Sequence, residues 1–258
     1  MLAARVNGET VVVLGWGRAI LMQLAHPLIA AGVGAHSRFD VRPLAYLQRM
    51  RGTISAMLSL TFGSEAEIRQ TAERINAIHR RVRGRLEHAV GRHAAGTPYD
   101  ATDPALLAWV HATLVDSQLL TYALFVEPLS ADEEDRYCAE AAQVGPRLGV
   151  PPGRLPDSRD RLDGYLREMQ DGDQLAVGDQ ARRLAASLLA LPGGLWVAPA
   201  RRLGRLATLG LLPAGIRDAY GFAWSARDAR RLRTAAALLR GARRIAPPLM
   251  RRWPAARP

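Results

Sequence analysis

Signals for the start of a helix recur along this chain and constrain its fold more than any other feature. Residues that cap helices stand before acidic or proline-containing first turns at Ser64, Asp103, Ser130, Asp157 or Ser158, Asp179 and Ser225. Ser and Asp oxygens accept hydrogen bonds from the free N–H groups there, and acids interact favourably with the helix dipole. Apolar residues recur between the caps at spacings of three and four. With 258 residues, the chain is predicted to form one all-α, multi-helix globular domain.

One segment near the start predicts something different. Residues 8–14, GETVVVL, favour a short strand, and the GWG that follows is a turn signal before an apolar run from Ala19 to Ala31. A dinucleotide-binding fingerprint would need a third glycine where Ile20 stands, followed by alternating strands and helices. The sequence lacks both features and therefore argues against a dinucleotide site.

The composition excludes several kinds of chemistry and location. Cys138 is the only cysteine, so no internal disulfide forms and a reducing compartment suits the chain. We expect a cytoplasmic protein, because no secretory leader is evident. The most apolar stretch, Val11–Val33, is interrupted by Arg18 and His26, which predicts a buried helix rather than a membrane span. The absence of lysine excludes Schiff-base chemistry.

The positive charge is concentrated at the C-terminal end. The formal net charge is +11, and residues 226–258 contain ten Arg and one Asp. We therefore divide the chain into a helical domain over 1–225 and an Arg-rich C-terminal helix and tail over 226–258. This distribution does not favour nucleic-acid binding. Arginine alternates with leucine and isoleucine there, which indicates either a solvated helix face or peripheral contact with an anionic membrane.

Two histidines lie within predicted helical stripes. His79 belongs to the line Ile68, Ala72, Ile75, His79, Val82 and Leu86, and His111 to the line Leu107, His111, Leu114, Gln118 and Tyr122. A single histidine on an apolar face is most often a satisfied core residue. Two of them midway along long helices could instead face a shared internal cleft, as in cofactor-binding bundles.

The spacing of these histidines excludes several metal sites. The sequence has no HExxH, no paired cysteines and no Glu-x-x-His at either position, and it lacks the CxxCH of covalently attached haem. Non-covalent b-type haem needs only one imidazole and a large apolar cleft. His79 and His111 satisfy that requirement equally well. We expect His26 and His36 to be structural or to line the pocket, and His88 and His93 to be solvated.

Several strings, taken together, resemble a known family. They are LMQLAHPLIAAGVGAHSRF (21–39), RMRGT (49–53), IHRRVRG (78–84), TDP (102–104), WVHATLVDS (109–117) and GLLPAGIRDAYGFAWS (210–225). In this order they are similar to the domain shared by MpaB-type oxygenases and latex-clearing rubber oxygenases, over roughly residues 6–225. The strings that contain histidine are the most specific.

The resemblance implies roles for particular residues. His79 matches the proximal haem ligand, which binds the iron, with Arg83 one turn later and His111 nearby on the supporting helix. Arg49 and Thr53 match the distal arginine and threonine, four residues apart on one helical face, where they could stabilise charge on bound oxygen. A surface salt bridge for Arg49 and a bond back to its own backbone for Thr53 are the alternatives.

The chain departs from the family pattern at one catalytic position. Rubber oxygenases have a distal lysine immediately before the threonine, whereas this chain has Gly52. From the resemblance we also expect part of the family's usual N-terminal segment to be missing here. The substrate implied by the resemblance is therefore an apolar, unsaturated molecule of lipid or isoprenoid type, which need not be a polyisoprene.

The sequence therefore supports three hypotheses. The first is a haem-b-dependent oxidoreductase that acts with O2 on that apolar substrate, with His79, Arg83, His111 and His26 around the cofactor. The second is a helical protein that binds a hydrophobic ligand on the same scaffold without catalysis. The third is a module that contacts a membrane surface through its C-terminal helix.

Overall fold

The fold consists of helices and one small sheet. The computed structural model describes residues 1–36, 43–190 and 198–256, with the backbone alone given for 43–50 and Pro248. The helices are α1 (Leu2–Asn7), α2 (Trp16–Leu24), α3 (Pro27–His36), α4 (Pro43–Phe62), α5 (Glu65–His79), α6 (Pro104–Phe125), α7 (Ala131–Ala142), α8 (Arg159–Asp171), α9 (Asp179–Leu189), α10 (Ala198–Leu211), α11 (Ala214–Ala219), α12 (Ala226–Ile245) and α13 (Pro248–Arg251). Short 3-10 helices cover Thr10–Gly15, Pro146–Leu148 and Pro254–Ala256. The predicted all-α class is confirmed.

The predicted side-chain caps are confirmed at the start of α5, α6, α7, α8 and α12, whereas α9 has Gly178 rather than Asp179 as its N-cap residue. Ser64, Ser130 and Ser225 each form a capping box with the acid three residues later. Asp103 accepts a hydrogen bond from the Ala105 N–H, and Ser158 accepts one from the Arg161 N–H. Between Asp157 and Ser158, the serine is therefore the cap. The Pro-Gly-Gly sequence at 192–194 predicts a break between helices, and these residues lie outside the described ranges.

Two local predictions were wrong. Residues 8–14 do not form a strand, because Thr10–Gly15 is a 3-10 helix that packs on α6. The polar composition of the segment from Gly91 to Tyr99 predicts a loop, but in the structure this segment ends in a strand. β1 (Arg83–Arg85) and β2 (Pro98–Asp100) pair antiparallel, with Gly84 opposite Tyr99. This two-stranded sheet directly follows α5 and therefore determines where the chain goes after His79.

Helix α6 forms the centre of the molecule. It packs against α2, the first 3-10 helix, α8, α10 and α12, and its side chains are buried on most sides. The largest fully buried side chains include Trp109, Tyr122 and Phe125 of α6. Tyr137 of α7 is also fully buried. Because α6 is packed on most sides, the residues at its two ends are held in place relative to the neighbouring helices.

The apolar run near the start is bent rather than continuous. In the described residues, no individual helix has the length and apolarity that crossing a membrane requires. The segments Thr10–Leu24 and Pro27–His36 meet the length and composition criteria as a pair, but they meet at 107°. The bend lies at Ala25 and His26. Pro27 begins α3 there, and the carbonyl of His26 accepts from the Ala30 N–H at 3.0 Å.

Candidate functional site

His79 lies where helix α5 ends and the chain turns toward the sheet. The sequence predicted that the apolar helical line would continue through Val82 to Leu86, which is wrong. The helix stops at His79, and the Val82 N–H donates to the His79 carbonyl at 2.9 Å in the turn before β1. The imidazole is half-buried at this end and is not in the middle of a buried stripe.

A pocket of about 320 Å³ adjoins His79. The end of α5, the start of α6, the β1 segment and the 3-10 helix Pro146–Leu148 form it. Its lining residues are Asn76, His79, Arg80, Arg83, Thr102, Leu107, Leu148 and Gly149. The volume is at the small end of the range of about 300–1,000 Å³ that is typical of ligand sites.

One ring nitrogen of the His79 imidazole makes no hydrogen bond in the structure. This atom, Nδ1, is buried. Burial lowers the pKa of His79, which favours the neutral imidazole that carries a free lone pair. An imidazole-ligated group requires an unengaged ring nitrogen, and the His79 side chain lines the pocket. In this respect the residues present fit such a group.

Two guanidinium groups extend the same pocket on its polar side. Arg80 follows His79 directly, and Arg83 lies in β1 with its Nε 3.0 Å from Asp100 Oδ2. Arg83 was predicted one helical turn after His79, and this was wrong because the helix has already ended. Arg83 nevertheless lines the same pocket as His79. The pocket therefore combines apolar leucines with a cationic edge.

His111 differs from His79 in its surroundings. Its Nε2 lies 2.9 Å from the Ala141 carbonyl of α7, and its Nδ1 is buried without a partner. Burial lowers the pKa of His111, opposed by the bond to Ala141. His111 is not among the described residues that line the pocket beside His79. The two histidines were indistinguishable in the sequence, and this contact now separates them.

His26 lies at the bend between α2 and α3. It is 4% exposed, its Nδ1 lacks a partner, and its ring centroid is 5.3 Å from that of His93. Burial, together with His93, lowers the pKa of His26 to about 4. His93 is half-buried, so the prediction that it is solvated was wrong. Neither ring lines the pocket beside His79 in the described residues. His36, the last residue of α3, lies with Nδ1 3.2 Å from the Gly32 carbonyl.

Arg49 and Thr53 lie on α4, which packs against α5. The side chain of Arg49 belongs to the part for which only the backbone is described, and Thr53 is exposed. The neighbouring residues Arg51 and Ile54 line a different pocket of about 550 Å³. The distal roles of Arg49 and Thr53 therefore stay predictions.

Sequence reasoning missed an ionic cluster inside the helical core. Arg18 of α2 donates to Asp116 Oδ2 at 2.6 Å, to Ser117 Oγ at 2.7 Å and to the Leu211 carbonyl at 2.7 Å. Arg159 of α8 donates to Asp116 Oδ1 at 3.1 Å. An arginine inside an apolar run and an aspartate inside the most buried helix were the available signals. Their pairing could not be read from sequence, since 98 residues separate them.

Within the ranges the structure describes, no group of three or more His, Cys, Asp or Glu side chains could hold a metal ion. Cys138 is buried, and burial raises the pKa of its thiol to about 12, so it is not a ready nucleophile. The pocket beside His79 is thus the part of the described chain that best suits an imidazole-ligated cofactor.

Comparison with known proteins identifies the family. The chain matches the family model described as ER-bound oxygenase mpaB/B'/Rubber oxygenase, catalytic domain, over residues 4–241. Searches of curated proteins and of solved structures gave no match. The family match spans most of the 258 residues and includes each histidine discussed above. The chain belongs to the family of mpaB and rubber oxygenase catalytic domains.

Proposed function

We propose that this chain is an oxygenase that binds b-type haem through His79 and acts with O2 on an apolar, unsaturated substrate. The observation that carries the proposal is the unengaged, buried Nδ1 of His79 beside a pocket of about 320 Å³, in a chain of an oxygenase family. When bound, haem supplies the activation of dioxygen.

The residues around the pocket have complementary tasks in this proposal. Leu107 and Leu148 supply apolar walls that limit the entry of water. Arg80 and Arg83 supply positive charge for the carboxylates of a bound porphyrin. The lowered pKa of His79 keeps the imidazole neutral at physiological pH, which is the form that donates electrons to iron.

The register of α4 against α5 supports a distal role for Arg49 and Thr53. Two residues join the helices, and Ser59 Oγ lies 2.8 Å from Thr71 Oγ1 and 3.3 Å from the Glu67 carbonyl. Antiparallel helices rise equally per residue, so positions 49 and 53 come close to the level of His79 along α5. The arginine and threonine would then act near the same end of the hairpin as the histidine.

An absorbance spectrum tests the cofactor. Protein purified from haem-sufficient cells should show a Soret band, and His79→Ala should abolish it. His88→Ala is the matched control, because His88 is exposed, and it should retain the band. His111→Ala should also retain it, since His111 bonds to Ala141. A band that survives in His79→Ala would refute His79 as the ligand.

Oxygen uptake tests the reaction. Consumption should rise with squalene and stay at baseline with squalane, its saturated counterpart, because the proposed substrate is unsaturated. Gly52, which stands where rubber oxygenases have a distal lysine, favours a second candidate function. A chain that binds haem but consumes no oxygen with any alkene would be a non-catalytic protein that holds a hydrophobic ligand.

A further inference from the structure

A larger pocket lies between α10 and α12, near the far end of α6. Its volume is about 670 Å³, and its lining residues are Arg202, Arg205, Leu206, Leu209, Ala223, Trp224, Asp228 and Arg231. It shares no described residue with the pocket beside His79. The volume lies well within the range of small-molecule sites, about 300–1,000 Å³.

The floor of this pocket is apolar and held in place. Trp224 packs so closely on α10 that a Cβ at Gly210 would lie 2.8 Å from the indole Cη2. The Arg217 guanidinium lies 5.5 Å from the Trp224 ring centroid and donates to the Leu209 carbonyl at 3.0 Å. The absence of a side chain at Gly210 lets the indole pack closely on α10, and the Arg217 guanidinium lies near the ring. The indole is therefore positioned without a ligand.

The rim of this pocket is cationic. Arg202 and Arg205 lie on the same face of α10, and Arg231 faces them from α12. In the described chain no acidic group pairs with Arg202 or Arg205, while Arg205 lies 5.9 Å from the Phe222 ring. Asp228 is engaged in the capping box of α12 and is 3.4 Å from Arg231. Three arginines and one aspartate leave the rim with a net positive charge.

An exposed apolar line extends from the rim along α12. Arg231, Leu238 and Ile245 are spaced by seven residues, nearly two turns, and so follow one side of the helix. Leu238 is 69% exposed and Ile245 is 87% exposed. Leu238 lies about 10 Å from Arg231 at 1.5 Å per residue. A cationic rim, an apolar floor and this line match a molecule with an acidic head and a hydrocarbon chain.

We propose that the pocket between α10 and α12 binds an acidic amphiphile. Its phosphate or carboxylate head would pair with Arg202, Arg205 and Arg231, because guanidinium groups bind such oxygens in forked geometry. Its chain would cover Trp224 and Leu206 and continue toward Leu238. This site is separate from the pocket beside His79, so the proposal does not depend on haem.

Calorimetric titration of the full chain tests this site. The probe is decyl phosphate below its micelle concentration, compared with inorganic phosphate at the same ionic strength. Decyl phosphate should bind at least about tenfold more tightly, because only it buries a chain. The triple variant Arg202→Gln, Arg205→Gln, Arg231→Gln should weaken its binding by about 100-fold.

A control of equal charge separates this site from a general electrostatic effect. Arg233, Arg240 and Arg244 lie on the opposite side of α12, and replacing all three with Gln should change the affinity by less than about threefold. Equal losses in the two triple variants, or decyl phosphate that binds no better than phosphate, would overturn the proposal. The single variant Arg231→Glu should also weaken the binding of decyl phosphate. It provides a second test in case the triple variant does not fold.

Vesicle sedimentation identifies the source of the head group. If vesicles with anionic phosphatidylglycerol bind the chain, neutral ones do not, and only the pocket variant loses binding, the ligand is a membrane lipid. If monomeric decyl phosphate binds and neither vesicle does, the ligand is a free amphiphile. Both outcomes support the site, whereas vesicle binding that both variants lose equally would oppose it.

Discussion

Asp116 connects three helices through two arginine side chains. Its carboxylate pairs with Arg18 at 2.6 Å and with Arg159 at 3.1 Å, and the Arg18 and Asp116 side chains are 4% and 3% exposed. Asp116→Asn should lower the free energy of unfolding by about 3–5 kcal/mol, because it leaves the Arg18 charge buried without compensation. Urea unfolding measures this change.

The exposed pair of Arg147 and Glu65 is the control for Asp116. Its atoms lie 2.8 Å apart, but both side chains are solvated. Glu65→Gln should cost less than about 1 kcal/mol. If Asp116→Asn and Glu65→Gln had similar costs, the buried Arg18 charge would still be compensated after Asp116 is replaced, and the prediction would be wrong.

His26 makes stability depend on pH. The lowered pKa of about 4 in the folded chain lies below the ordinary value of 6.5, so the unfolded chain binds a proton first. The neutral His26 side chain therefore makes its full contribution to the free energy of unfolding above pH 6.5. This contribution declines as the pH falls toward 4, by up to about 3 kcal/mol. Unfolding curves between pH 7 and pH 4 should show a shallower decline for His26→Gln. An unchanged slope would contradict the lowered pKa.

At the scale of elements, two glycines allow close packing around α2. A Cβ at Gly15 would meet Thr121 and lie 2.7 Å from the Ser117 carbonyl of α6. One at Gly17 would meet Thr208 of α10, with the Thr208 Cβ 3.2 Å away. The GWG motif was predicted to be a turn, but in the structure it brings helices together. Gly15→Ala and Gly17→Ala should each destabilise the fold by about 1–3 kcal/mol.

At Gly164 in α8, in contrast, we expect an alanine substitution to stabilise the fold. A Cβ there meets nothing within 4 Å, so Gly164→Ala should raise stability by up to about 1 kcal/mol through helix propensity. Thermal unfolding of the three variants measures the contrast. If Gly15→Ala or Gly17→Ala were neutral, the helix contacts around them would be looser than the structure indicates.

Local signals predicted the helix starts that have side-chain caps, whereas packing determined features that no local signal marks. A cap such as Ser64 acts through its own next three residues, so its effect can be read from sequence. The Val11–Val13 run suits a strand equally well, and only its contact with α6 selects a 3-10 helix. Strands of three residues carry too little pattern to detect, which explains why β1 and the end of α5 at His79 were missed. The pocket beside His79 lies at this helix end, so it could not be predicted either.

At the scale of the whole molecule, α6 separates the two pockets. Leu107 near its start lines the pocket beside His79, while Phe125 at its end packs with Ala207 and Trp224 near the pocket between α10 and α12. These positions are about 27 Å apart along the helix axis. The proposed oxygenase site and the proposed amphiphile site can therefore be altered independently.

The C-terminal helix contributes to the core of the molecule. Leu232 and Ala236 of α12 pack with Phe125, and Arg243 pairs with Glu9, which is 6% exposed. Leu232→Ala should cost about 2–4 kcal/mol, and a chain that ends at residue 225 should lose more, because truncation uncovers Phe125 and leaves Glu9 unpaired. The exposed Leu238→Ala is the control and should change stability by less than about 0.5 kcal/mol. The predicted division at residue 225 is tested by the same denaturation curves. If residues 1–225 unfolded at the same denaturant concentration as the full chain, α12 would be an independent appendage.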